Sequence, residues 1–202
     1  MTIQKRVINE AFFEFKFLTD FLERVAGSGS YQQRKQDKAD ELGLDLSKSG
    51  KVKPEELRKI AKDELEKIYK DFGVDEREVF SIFKGESNFD TRAFNASGAV
   101  GLFQVIPKTA KDLGTTVKKI HDMSAKEQVS LYHSYLSMYK RYGNLKGRLG
   151  ILQAAPAKAG KKMNEPIYDK GSKAWDQNPG WRSKNDGPIT IASISDYYAR
   201  KA

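Results

Sequence analysis

Large apolar residues recur at helical spacing along almost the whole chain and nowhere alternate over the length of a β-strand, which restricts the fold to a mostly helical one. Residues 3 to 26 place Val7, Ala11, Phe12, Phe15, Leu18, Leu22 and Val25 on one stripe, and Gly27 to Ser30 supply a stop. This predicts an amphipathic helix that either docks on the main domain or binds a partner. A polar segment, Tyr31 to Leu44, follows. Pro54, Glu55 and Glu56 then open a helix whose stripe of Leu57, Ile60, Ala61, Leu65, Ile68 and Phe72 ends near Gly73. A short helix over Asp75 to Gly85 runs straight into Glu86. Ser124 and Glu127 form a capping box before Val129, Leu131, Tyr132, Tyr135, Leu136 and Tyr139, a helix closed by Gly143. Leu145 to Ala155 reads as one more, stopped by Pro156. The pattern divides the chain into an N-terminal helical extension, residues 1–53, and a main domain, residues 54–202.

Composition narrows the chemistry. No cysteine means no disulfide framework and no thiolate zinc site, and His121 and His133 alone make a poor metal cluster. Near the N-terminus, Glu10, Glu14, Lys16, Asp20 and Glu23 interrupt every apolar run, so neither a signal peptide nor a membrane span is expected there. The formal net charge of +9 lies wholly in residues 76 to 202, with 21 basic and 12 acidic side chains, whereas residues 1 to 75 balance 15 against 15. A basic region of this kind suits an anionic polymer: nucleic acid, a membrane surface or bacterial cell wall. No zinc finger, helix-turn-helix or RNA-recognition signature is present, which ranks nucleic acid last.

Asp45 to Glu56 fits the spacing of an EF-hand calcium loop, with Asp45, Ser47, Ser49, Lys51 through its carbonyl, and Glu56 as candidate ligands. Its low ligand charge and three internal lysines argue for weak binding, and the competing reading is a turn leading into a helix. Trp175 and Trp181 flank a Gly- and Asn-rich loop, where indoles either stack on sugars or anchor the loop.

The stretch from Glu86 to Ala110 carries the chemistry. A carboxylate at a helix C-terminus, beside Phe83 and Phe89, is disfavoured in its ionised form, as a general acid near neutrality requires. Gly98, Ala99 and Gly101 let backbone approach backbone or a sugar ring closely, and Gln104 offers an amide there.

These residues resemble the signature of the soluble lytic transglycosylase family: Glu86-Ser87, Phe89, Ala93, then Gly98-Ala99-x-Gly101-Leu102-x-Gln104-x-x-Pro107-x-Thr109-Ala110, continued by Leu113-Gly114. The resemblance implies a lysozyme-like helical fold, related to goose-type lysozyme. It also implies cleavage of peptidoglycan between N-acetylmuramic acid and N-acetylglucosamine without a cofactor. Glu86 would protonate the glycosidic oxygen and then, as carboxylate, deprotonate the C6 hydroxyl of the muramic residue, giving a 1,6-anhydro product. Ser87, Phe103 and Gln104 are carried over as substrate contacts. Asp90 falls where the family often has Asn and reads as a turn residue; Asp90 or Asp112 in the cleft would instead permit hydrolysis.

Downstream, Ile151-Leu152-Gln153-Ala154-Ala155-Pro156-Ala157 departs from the family's Ala-Tyr-Asn-Ala-Gly. Gln153 stands where it would supply the amide, and the phenol must come from elsewhere, with Tyr197 and Tyr198 as candidates. These departures resemble bacteriophage members. The resulting expectation is a phage-borne enzyme for wall penetration or lysis, in the virion or delivered to the periplasm, with its N-terminal helix left to the main domain or to a virion or tail protein. A glycan-binding virion module and a hydrolytic muramidase on the same fold are the alternatives.

Overall fold

The computed structural model describes residues 29–201. The helix expected over residues 3 to 26, and the partner docking assigned to it, lie outside the described residues. Ten α-helices are present among the described residues. The polar segment forms α1 (Gly29–Leu42), which buries only Tyr31 and Ala39 and is stitched on its outer face by pairs such as Gln33 to Asp37 and Lys38 to Glu41. Ala39 and the following Leu44 join the common core, and Lys118 donates to the Gly43 carbonyl.

The helix expected from Pro54 to Gly73 is two, α2 (Pro54–Ile60) and α3 (Lys62–Phe72), because the backbone at Ala61 leaves helical geometry (φ −122°, ψ 28°). Leu57, Ala61, Leu65, Ile68 and Phe72 stay on one buried face across the bend, whereas Ile60 points to solvent, 41 % exposed. Gly73 closes α3 in the left-handed conformation that glycine favours. In α4 (Glu76–Ser87), Asp75 and Glu78 form a capping box absent from the sequence reading, and the helix runs two residues past Gly85 to include Glu86.

Two short helices, α5 (Pro107–Asp112) and α6 (Val117–Asp122), lead to α7 (Ala125–Ser137), which the Ser124–Glu127 box opens as expected. It ends before Gly143, with one 3-10 turn at Lys140–Tyr142 between them. The next helix, α8 (Leu149–Ala154), is shorter than expected because Asn144 caps the Lys146 amide and Gly147 takes positive φ, making a turn of residues 144–148.

A small antiparallel sheet that the periodicity did not reveal follows: β1 (Pro166–Tyr168), β2 (Arg182–Ser183) and β3 (Gly187–Thr190), in the order β1-β3-β2, with α9 (Lys173–Gln177) between β1 and β2. Strands of two to four residues are too short to display alternation. Thr190, the last residue of β3, caps α10 (Ile191–Ala199) through a box with Ser193, and α10 lies across α8 and α4. That crossing brings α10 to Glu86.

Candidate active site

Glu86 occupies the last turn of α4 and is partly buried. The Tyr198 hydroxyl, from α10, donates to its Oε1 at 2.5 Å. Tyr198 is buried, and burial first, then the Glu86 charge and the hydrogen bond to it, push its phenol well above the usual tyrosine range. It therefore remains a donor at neutral pH.

Two helical glycines make room for this ring. A Cβ on Gly85 would sit 2.9 Å from Tyr198 Cδ1, and one on Gly150 would sit 2.8 Å from Cδ2. The phenol thus lies in a slot between α4 and α8 that any other residue at either position would narrow. Of the two tyrosines singled out at the C-terminus, Tyr198 meets Glu86. Tyr197 turns outward, packing against Gly180 with the Lys201 ammonium 4.3 Å from its ring.

Beyond Glu86 the chain turns sharply. Ser87 sends its hydroxyl to the carbonyls of Phe83 and Leu102, each at 3.0 Å, and accepts from the Asp90 amide, so it pins the helix end to the glycine turn. Asn95, buried, accepts from the amides of Ser97 and Ala99 and donates to Gln104 Oε1. The Gln104 amide nitrogen goes to the carbonyls of Ala93 and Gly101. Both Ser87 and Gln104 therefore build the turn from within, whereas the sequence reading placed them against substrate.

Phe103 requires a correction. Expected to line the cleft, it is 2 % exposed and packs among Tyr132 (4.8 Å between ring centres) and Tyr135 (5.5 Å). A large ring completes the aromatic core more favourably than it would sit in water.

Two residues of α7 that the sequence did not single out for the site lie beside the turn. Gln128, fully buried, accepts from the Leu102 amide at 2.8 Å and donates to the carbonyls of Thr91 (2.8 Å) and Ile120 (2.9 Å), tying both ends of the turn to α7. Its Oε1 would lie 2.5 Å from a Cβ at Gly101, which explains that glycine along with its φ of 82°. Tyr132, one turn on, is fully buried; burial pushes its phenol up, the Gln153 amide acts in the opposite sense, and the Glu86 charge adds to the rise.

Gln153 Nε2 and the Tyr132 hydroxyl are both buried without a completed hydrogen bond, although the amide is close enough to act on the phenol. Leu152 itself accepts from the Tyr135 hydroxyl through its carbonyl. The phenol beside Glu86 is that of Tyr198, from α10.

Other acids near the site are engaged elsewhere. Asp90 Oδ1 accepts from the amides of Gly50 and Arg92, both at 2.9 Å, as a turn residue does. Asp112 pairs with Lys108 at 3.0 Å. In the candidate calcium loop, Ser47 donates to Asp45 and holds its carboxyl below the ordinary range, Lys48 lies 3.6 Å from it, and Ser49 Oγ accepts the Lys51 amide. Glu56 is exposed in the first turn of α2. Among the described residues no group of three or more His, Cys, Asp or Glu is arranged to hold a metal. Trp175 anchors its loop, donating to the Gly187 carbonyl at 2.8 Å beneath the Arg182 guanidinium.

Comparison with known families places a match, described as Transglycosylase SLT domain, on residues 63–174.

Proposed function

We infer the reaction from one premise: the chain belongs to the transglycosylase SLT family, lysozyme-like helical proteins whose members are lytic transglycosylases acting on peptidoglycan. We propose that this chain cleaves the β-1,4 bond between N-acetylmuramic acid and N-acetylglucosamine, with Glu86 transferring both protons. As acid it protonates the leaving oxygen. As carboxylate it then takes the proton of the muramic C6 hydroxyl, whose oxygen closes on C1 to give a 1,6-anhydro end.

The observation that carries this reading is the Tyr198 to Glu86 hydrogen bond. A donor that stays protonated holds the carboxyl in one orientation through both transfers. An internal hydroxyl needs no second carboxylate to activate water, unlike the two-carboxylate scheme. The engagement of Asp90 with backbone and of Asp112 with Lys108 supports the anhydro product over hydrolysis.

The reaction as proposed uses no cofactor, and calcium at Asp45 to Glu56 would take no part in the proton transfers. The bacteriophage setting, with delivery to the wall by a virion, belongs to the same proposal and rests on the departures at Leu152 to Ala157. No helix among the described residues is long and apolar enough to cross a membrane. Digestion in water carrying a heavy oxygen isotope tests the product. Fragments free of the label support an internal nucleophile, and label at the new muramic C1 makes the enzyme a hydrolase.

A further inference from the structure

Two consecutive non-glycine residues just after Glu86 and Ser87 adopt left-handed backbone, Asn88 (φ 51°) and Phe89 (φ 59°). Such residues cost about 1–2 kcal/mol each and persist only where the surroundings fix them. The helix's own C-cap supplies part of what fixes them, the Asn88 amide donating to the Lys84 carbonyl and the Phe89 amide to the Phe83 carbonyl, and the rest comes from the N-terminal side, ahead of the matched residues 63–174. Lys51 pairs opposite Asp90 in an antiparallel bridge. The Val52 amide donates to the Phe89 carbonyl at 3.0 Å, and the Thr91 amide donates to Gly50 at 3.1 Å. The Gly50 amide donates to Asp90 Oδ1, the oxygen that also receives the Arg92 amide. The Lys51 ammonium reaches the Asn88 carbonyl at 2.7 Å and the Ser87 carbonyl at 3.5 Å, at the C-terminal end of α4.

The approach is close enough to require glycine: a Cβ on Gly50 would lie 2.2 Å from Thr91 Oγ1 and 2.7 Å from the Arg92 nitrogen. Neither the glycine signature nor the catalytic carboxylate accounts for this strap.

We propose that residues 50–52, acting through Lys51 and Asp90, are a positioning element for Glu86, holding the strained Asn88–Phe89 pair and so the last turn of α4. The proposal rests on Glu86 being the catalytic group. Through it, a segment outside the matched domain becomes part of what sets the rate. Asp90 and Lys51 touch no reacting atom; they fix where the carboxyl stands relative to Tyr198.

The test is steady-state cleavage of soluble glycan strands by the full chain and by Asp90→Ala, Asp90→Asn, Lys51→Met and Lys51→Arg. Misplacement by a fraction of an ångström acts on the chemical step, so Asp90→Ala should lower kcat roughly tenfold or more with KM within about twofold. Asp90→Asn keeps an oxygen acceptor and should recover most of that loss, as should Lys51→Arg relative to Lys51→Met. Lys51 is exposed, so Lys51→Met decides the matter if Asp90→Ala fails to fold. Wild-type kcat in both Asp90→Ala and Lys51→Met overturns the proposal. So does an Asp90→Asn as inactive as Asp90→Ala, which would mean that the charge of Asp90 takes part in the chemistry. A wild-type chain that releases no product overturns the catalytic reading beneath it, an outcome distinct from either.

Discussion

Tyr198 contributes one hydroxyl, and its removal isolates that contribution, because Tyr198→Phe keeps the ring in the slot between Gly85 and Gly150. With a hydrogen bond to a charged group worth about 1.5–3 kcal/mol, kcat should fall roughly ten- to hundredfold, while substrate affinity changes little. A full kinetic comparison checks this, and equal kcat in the two proteins would remove Tyr198 from the machinery. Glu86 was legible in sequence because its signature is contiguous. Tyr198 lies 112 residues away, and resemblance alone reduced the choice to two adjacent tyrosines, since only the rotation of α10 decides which faces inward. Ser87 and Gln104 were placed in the right turn, but a sequence does not show which partner takes a hydroxyl or an amide. Gln128 and Tyr132 were hidden by their position: they sit in the apolar stripe of α7, where a polar group reads as packing until its partners are seen.

At the scale of elements, the contact of α10 with α4 and α8 is permitted by two missing side chains. An alanine for glycine in an exposed helix stabilises by about 1 kcal/mol. Here Gly150→Ala should do the reverse, displacing Tyr198 and lowering both melting temperature and activity; a more stable, fully active variant would show that the slot is not needed. The Gln128 clamp makes a second case. Gln128→Leu strands three backbone groups in the core, at about 1–3 kcal/mol each, so a loss of about 3 kcal/mol or more is expected. Thermal denaturation measures it, and a shift of under about 2 °C, worth less than 1 kcal/mol in a chain of this size, would contradict the clamp. Helices announced themselves through caps and stripes, as at Ser124. Their breaks did not, because the bend at Ala61 leaves the buried stripe intact and the sheet is built from strands shorter than any readable period.

For the whole molecule, the aromatic core links stability to pH. Burial raises the phenols of Tyr132, Tyr135 and Tyr198 above the ordinary value. A raised folded value means that their contribution is complete below the unfolded pKa of about 10 and is lost as pH rises beyond it. The melting temperature should therefore hold steady through mildly alkaline pH and fall above about pH 10, less steeply in Tyr132→Phe; the same slope in both proteins would contradict this origin. The basic excess of residues 76 to 202 faces an anionic polymer in this account. The central claim, that Glu86 drives cleavage of peptidoglycan to anhydro ends, is tested most directly by mass spectrometry of the muropeptides released from purified wall. Wild type should release 1,6-anhydromuramyl fragments and Glu86→Gln none; reducing ends from wild type, or anhydro products from Glu86→Gln, would contradict it.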